Sequence, residues 1–319
     1  MNNSIFRVLR SGINTTYQDE GRFGLQHLGV PPSGCMDLKS FLVANALVGN
    51  KKSYGVIEFA YQGPLLKLIK GKTKIAITGN VIFKIINLNN KSFEGECNRT
   101  YDLNEGDQVD ILTTNKSTYG YLSAEGGFKV ESFCNSVSTL VKANIGHNNG
   151  NKIRAEDKVI INQCRKNENN FKTTVNLESA HAIRVLKGPQ YDYFSDESKK
   201  IFFSQSYKIS NLTDRMGMRL EGHVLKNIVN TNIRSEGITK GAIQVPADGQ
   251  PIILLTDYPT IGGYPKIANI VTADYDMLVQ KTPGTNISFQ CIELSEAEKL
   301  YKKKHDNISK IIKDIKEIN

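Results

Sequence analysis

Between Gly241 and Ile270 the chain reads GAIQVPADGQPIILLTDYPTIGGYPKIANI, and this stretch concentrates its reactive side chains. Gln244, Asp257, Thr260, Tyr264 and Lys266 supply an amide, a carboxylate, a hydroxyl, a phenol and an ammonium. They hang on Pro246, Gly249, Pro259, Gly262, Gly263 and Pro265. Ile252 to Leu255 form an apolar run of strand length between them, with Asp248 and Gln250 also on its near side. A buried strand that ends in a glycine-rich polar loop can hold a site. It can equally be a tight turn facing water, and composition does not separate the two.

Two further segments carry unusual chemistry. Thr213-Asp214-Arg215-Met216-Gly217-Met218-Arg219-Leu220 sets an acid and two arginines around a glycine. That pattern fits a structural ion pair that holds a loop, or an arginine fork for carboxylate or phosphate. Thr16 to Gly24, with Asp19 and Arg22, leads into Gly29-Val30-Pro31-Pro32-Ser33-Gly34.

Several chemistries are disfavoured. Lys70-Gly71-Lys72-Thr73 resembles the end of a phosphate loop, but Leu66 stands where the first glycine belongs and a strand-like run follows where a helix is required. The five histidines have no ligand spacing, so no metal site is expected. No Gly-x-Ser-x-Gly elbow offers a covalent nucleophile.

The elements that must position these residues are mostly strands. Lys74–Thr78, Gln108–Leu112 and Ile287–Ile292 alternate apolar and polar residues. Two helices stand out. One runs from Asp37, its cap, to Val48, with Gly49 as its stop; the other is the tail from about Ser295. Short strands punctuated by turns predict barrels or sandwiches. Arg7-Val8-Leu9 recurs as Arg184-Val185-Leu186, and Gln62 to Leu66 resembles Gly249 to Ile253. Glu105-Gly106-Asp107 before a strand is echoed by Thr282-Pro283-Gly284. Three matches in one order point to a duplicated β-rich domain. The polar stretch Arg165 to Asn170 reads as the join. The expected domains are therefore 1–170, 171–294 and a basic C-terminal helix over 295–319.

Composition bounds the rest. The 319 residues suffice for two domains. Five scattered cysteines without a Cys-x-x-Cys pair suggest reduced thiols. With no secretory leader and no long apolar run, a cytoplasmic protein off the membrane is expected. The net charge of +9 has no nucleic-acid motif behind it, and the span from Lys299 to Asn319 alone holds seven lysines against three acids. Nucleic acid is not an expected partner.

TTYQDEGRFGLQHLGVPPSGCMDLKSFLVANALVGN, YLSAEGGF, TDRMGMRLEG and the Gly241–Ile270 segment occur in this order. Together they resemble the biotin-dependent carboxyltransferase-type family. That family includes the C-type subunit of 5-oxoprolinase, the regulator KipA and half of the urea carboxylase carboxyltransferase domain. The resemblance runs from about Phe6 to Phe289. It departs where the family usually carries Gly-Ser-Arg-Ser-Thr, because this chain has Asn135-Ser136-Val137-Ser138-Thr139.

The resemblance implies a mainly β fold of two tandem cyclophilin-like β-barrels. It implies work with a B-type (KipI-like) subunit and an A-type subunit, on an amide or lactam substrate. ATP would be shared with the partner, and no biotin would be attached to this chain. The implied activity is ATP-dependent opening of 5-oxoproline to glutamate; the alternatives are carboxyl transfer to urea or non-enzymatic capture of a kinase inhibitor. In that scheme Arg215 would hold a carboxylate or phosphate, and Lys266 and Tyr264 would donate to developing charge. Gln244 would orient an amide, and Asp214 would position Arg215 or act as base. Thr260, Gly262, Gly263 and Arg22 would complete the substrate-binding set.

Overall fold

The computed structural model describes residues 3–162, 168–175, 181–229 and 231–318. Chain contacts divide it into two compact units. The first comprises Met1–Arg22, Asp37–Asn176 and Asn307–Asn319; the second comprises Phe23–Met36 and Leu177–Asp306. The units interleave in sequence, whereas the expected division keeps Phe23–Met36 with the first domain and treats the tail as one piece. Residues 165–167 of the expected join, and Cys164, lie outside the described residues.

The first unit packs two antiparallel sheets face to face. One runs, in spatial order, Lys158–Ile161, Ser4–Arg10, Leu65–Lys70, Gln108–Thr114, Val81–Ile86 and Ser92–Glu94. The other runs Thr16–Gln18, Val56–Ala60, Tyr119–Ala124, Thr73–Gly79, Arg99–Leu103, Asn170–Lys172 and Lys316–Ile318. Alternation sends Phe6, Val8, Leu66, Leu68, Val109 and Ile111 from the first sheet inward. They meet Ile57, Phe59, Ile75, Ile77 and Leu122 from the second, all fully buried. Helix α1 (Leu38–Leu47) lies on the outer face of the second sheet, where Val43 and Leu47 meet Ala76. Its cap is the expected one: Asp37 accepts the Ser40 N–H at 3.0 Å.

The second unit is built on an eight-stranded, mostly antiparallel sheet. Its spatial order is Asn286–Ile287, Tyr207–Thr213, Gly217–Glu221, Ile252–Leu254, Ala242–Gln244, Lys266–Ile270, Ile183–Lys187 and Phe289–Cys291. The fold is thus mainly β and barrel-like, as expected. The strands read from alternation at Lys74, Gln108 and Ile287 are present, the last as two short pieces. The tail helix spans Leu294–Lys313.

Two expectations need correction. Four α-helices are present among the described residues, not two. Helix α2 (Asp196–Ser204) and helix α3 (Tyr275–Val279) are too short to show a helical apolar stripe. Helix α2 is anchored instead by its Ser195 cap and by Phe202, which stacks on Phe289 at 4.6 Å. The expected repeat also fails strand for strand. Ser4–Arg10 pairs with Leu65–Lys70, but Ile183–Lys187 pairs with Lys266–Ile270 and, in parallel, with Phe289–Cys291. Short matches such as Arg-Val-Leu report strand-forming composition, which does not fix a strand's neighbours.

No helix among the described residues is long and apolar enough to cross a membrane. Lys70-Gly71-Lys72-Thr73 joins two strands through Gly71 at φ +83°, so no helix N-terminus faces a phosphate there.

Candidate functional site

The site in the second unit starts from strand register. Gln244 stands opposite Lys266 on one neighbour and opposite Ile252 on the other. The register shifts by a residue just before this pair. Gln244 Nε2 lies beside Gly262, which stands opposite the Glu236 that holds the Lys266 ammonium, so the amide and the ammonium share one corner. The Lys266 side chain is buried, and Glu236 accepts a hydrogen bond from its ammonium. Glu236 also accepts from Gln190 Nε2 at 2.8 Å, and Gln190 Oε1 takes the Lys266 backbone N–H at 3.2 Å. Glu236 arrives on the two-residue strand Glu236–Gly237, which pairs with Ile261–Gly262 and sets Glu236 opposite Gly262. The bonds from Lys266 and then Gln190 hold the Glu236 carboxyl below its usual range. Glu236 keeps 44% of its side chain open, so the pair has its cation inside and its anion at the rim.

Gln244 completes this corner. Its Nε2 is buried and has no hydrogen-bond partner among the described residues. It lies against Gly262, where an added Cβ would sit 2.4 Å from it, so a side chain there would push the amide from this position. A buried donor without an acceptor costs about 1–3 kcal/mol. Beside a buried ammonium, it forms a donor pair suited to a carbonyl or carboxylate oxygen.

A second cluster centres on Arg215. Its Nε donates to Asp257 Oδ2 at 2.8 Å, and its terminal nitrogen donates to Asp257 Oδ1 at 3.0 Å and to the Gly34 carbonyl at 2.6 Å. Ser33 Oγ donates to Asp257 Oδ1 at 2.6 Å. Arg215 and Asp257 are both buried, so this bidentate pair fastens the Ser33–Gly34 backbone to the sheet.

The other anticipated residues are dispersed. Asp214 is exposed, and its Oδ1 accepts the Met216 and Gly217 N–H groups across a turn. Tyr264 is 39% exposed at the loop after Gly263. The Thr260 carbonyl accepts from Ile238 N at 3.3 Å and the Gly263 carbonyl from Ile233 N at 2.9 Å, so both use backbone to pin the segment that carries Glu236. Arg22 belongs to the first unit, buried, and donates to the Ser138 carbonyl. The structure thus joins Lys266, Gln244 and Gly262 and keeps Arg215 with Asp257.

Sequence reading missed Glu236 and Gln190. They sit in the short polar stretches Ile233-Arg234-Ser235-Glu236-Gly237 and Gly188-Pro189-Gln190, which carry no periodic signal. Only the sheet register brings them to Lys266. No group of three His, Cys, Asp or Glu residues among the described residues is placed to hold a metal ion.

The variant loop has a structural reading. Phe133 and Ser136 exchange backbone hydrogen bonds around Cys134 and Asn135, at φ +50° and +60°. Asn tolerates that left-handed conformation better than most residues with a side chain, which suits Asn135 to this turn. Buried Asp19 then ties the loop down, accepting from Ser136 Oγ at 2.7 Å, Val137 N at 2.7 Å and Ser138 Oγ at 2.5 Å.

Residues 28–291 match the family described as Carboxyltransferase domain, subdomain A and B, and the chain belongs to that family. Among curated relatives, the C-type subunit of 5-oxoprolinase from Escherichia coli (strain K12) is 31% identical over 295 residues, covering 92% of this chain and 94% of that protein. Its counterpart from Haemophilus influenzae is 31% identical over 307 residues, covering 95% and 96%. The Kluyveromyces lactis urea carboxylase crystal structure superposes with a TM-score of 0.87 at 28% identity, covering 98% of this chain and 29% of that one.

Proposed function

We propose that this chain is the C-type subunit of an ATP-dependent 5-oxoprolinase, in which it and a B-type subunit activate the lactam of 5-oxoproline and an A-type subunit then opens the ring to glutamate. The carrying observation is the buried Gln244 Nε2 without an acceptor among the described residues, placed across the register from the Lys266 ammonium. A lactam carbonyl oxygen would supply that acceptor. Lys266 would stabilise the negative charge that grows on the oxygen as the amide is activated. Glu236 orients the ammonium from the rim, and buried Gln190 holds Glu236 and the Lys266 backbone in place. Tyr264 donates at the mouth, while Thr260, Gly262 and Gly263 shape the wall. Arg215, held by Asp257, acts by positioning Ser33–Gly34, with Asp214 fixing the turn that carries it. Arg22 serves by bracing the Ser138 loop of the first unit.

Arg215 and Lys266 both face carboxylates, so this pair of cations contributes little net positive charge for a triphosphate. The proposal therefore assigns ATP to a site completed by the B-type subunit, within a cytoplasmic hetero-oligomer. The full-length similarity to the two bacterial C-type subunits supports this assignment.

The test is release of glutamate and ADP from 5-oxoproline by the chain co-expressed with B- and A-type subunits. Lys266→Ala and Gln244→Ala should each lower kcat by about 10²–10³, as loss of one oxyanion donor does. A second reading, transfer of a carboxyl group from carboxybiotin to urea, draws on the TM-score of 0.87 to the urea carboxylase. Urea-dependent carboxyl transfer without glutamate release would favour it and overturn the first. No turnover of either kind, with tight binding to the B-type subunit, would make the chain a regulator.

A further inference from the structure

The first unit contains a cavity of about 440 Å³ that the reading above does not use. It lies at the seam of the two sheets, between the edge strands Thr16–Gln18 and Lys158–Ile161. Core residues close the seam beneath it: Phe128 packs on Tyr17 at 5.7 Å, and Ile153 donates its backbone N–H to the Thr15 carbonyl at 2.9 Å. The volume falls within the range of about 300–1,000 Å³ usual for small-molecule sites.

The walls are polar and unusually uncommitted. Tyr17 is only 6% exposed, yet its hydroxyl makes no hydrogen bond among the described residues. Burial and then the Asp157 charge push the phenol pKa up, so the hydroxyl remains a donor. His147 stands edge-on to Tyr17 at 5.7 Å. Its Nδ1 accepts the Glu131 backbone N–H at 3.3 Å, which leaves Nε2 to carry the ring proton. Lys152 and Lys158 line the same cavity as Glu131 and Asp157, and no ion pair joins these opposite charges among the described residues. Asp157 spends one oxygen on the Arg154 N–H at 2.8 Å. The walls therefore balance two positive against two negative groups, with neutral donors between.

We propose that this seam pocket binds a free α-amino acid as its zwitterion, the carboxylate facing Lys152, Lys158, the Tyr17 hydroxyl and His147 Nε2–H, and the ammonium facing Asp157 and Glu131. A ligand carrying both charges satisfies walls that leave both signs unpaired. A simple anion or cation would satisfy one side and be repelled by the other. The site lies in the first unit and does not depend on the 5-oxoprolinase reading.

Isothermal titration calorimetry on the full chain tests this with L-glutamate, L-glutamine and glycine. Glutarate, which lacks the ammonium, and glucose, which lacks both charges, are the controls. At least one amino acid should bind with Kd of about 1 mM or tighter. Tyr17→Phe and Asp157→Asn should each weaken it about tenfold or more, and Lys266→Ala in the other unit should leave it unchanged. Lys152→Gln, at an exposed position, gives the same reading if a core variant fails to fold. Absence of binding by all three amino acids overturns the proposal. So does equal binding of glutarate or glucose, or affinity that is unchanged in the pocket variants.

Discussion

Asp257→Asn separates the two roles open to Arg215. The substitution keeps the side chain's shape and removes its charge, so the buried Arg215 guanidinium loses the charge of its bidentate carboxylate beside the Gly34 carbonyl. Removing one partner of a buried ion pair costs about 3–5 kcal/mol. The amide oxygen keeps two lone pairs and can still accept from Ser33 and from the Arg215 terminal nitrogen, so the low end applies, about 3 kcal/mol. At about 2–4 °C per kcal/mol for a unit of this size, the melting transition should fall by about 6–12 °C. Ser33→Ala removes one hydrogen bond to the same carboxylate and should cost about 1.5–3 kcal/mol. The two losses should not add, because both act on Asp257. Replacing both ions together, Arg215→Met with Asp257→Leu, should recover much of the stability. Thermal and urea unfolding followed by circular dichroism give all four values. If Asp257→Asn melts within about 2 °C of the parent while abolishing turnover, the pair is not structural, and Arg215 is the substrate's fork.

Gly262→Ala tests the donor corner, because its Cβ would sit 2.4 Å from Gln244 Nε2 and must push the amide aside. We expect kcat/KM to fall by about 10²-fold with little change in melting temperature, and full activity would remove Gln244 from the scheme. Glu236→Gln tests the rim carboxylate through pH. Because the folded-state pKa of Glu236 is lowered, the unfolded chain binds more protons across that interval. The link therefore stabilises the fold above the usual carboxylate value of 4.5 and is lost as pH falls through the lowered one. The variant's melting temperature should decline less steeply on acidification below about pH 4.5, and parallel curves for the two proteins would refute the linkage.

Residue order alone determined the mainly β class, the Asp37-capped helix and the strands whose apolar residues alternate. Each depends on interactions within a few residues, which a linear pattern records. It also marked Gly241–Ile270 as the place to look, because so many turn-formers and reactive groups rarely crowd together by packing alone. Tertiary structure decided what that segment does. Lys266 needed Glu236 and Gln190, which lie 30 and 76 positions away in sequence, and only strand register brings them together. Arg215, read beside its neighbour Asp214, is held by Asp257 and reaches the Gly34 carbonyl, 181 positions away. The seam pocket left no mark in the sequence, since Tyr17 and Asp157 meet only because two sheets end side by side. Periodicity encodes which face of a strand is buried, but the partner that a polar side chain meets across that face is set by the closed sheet.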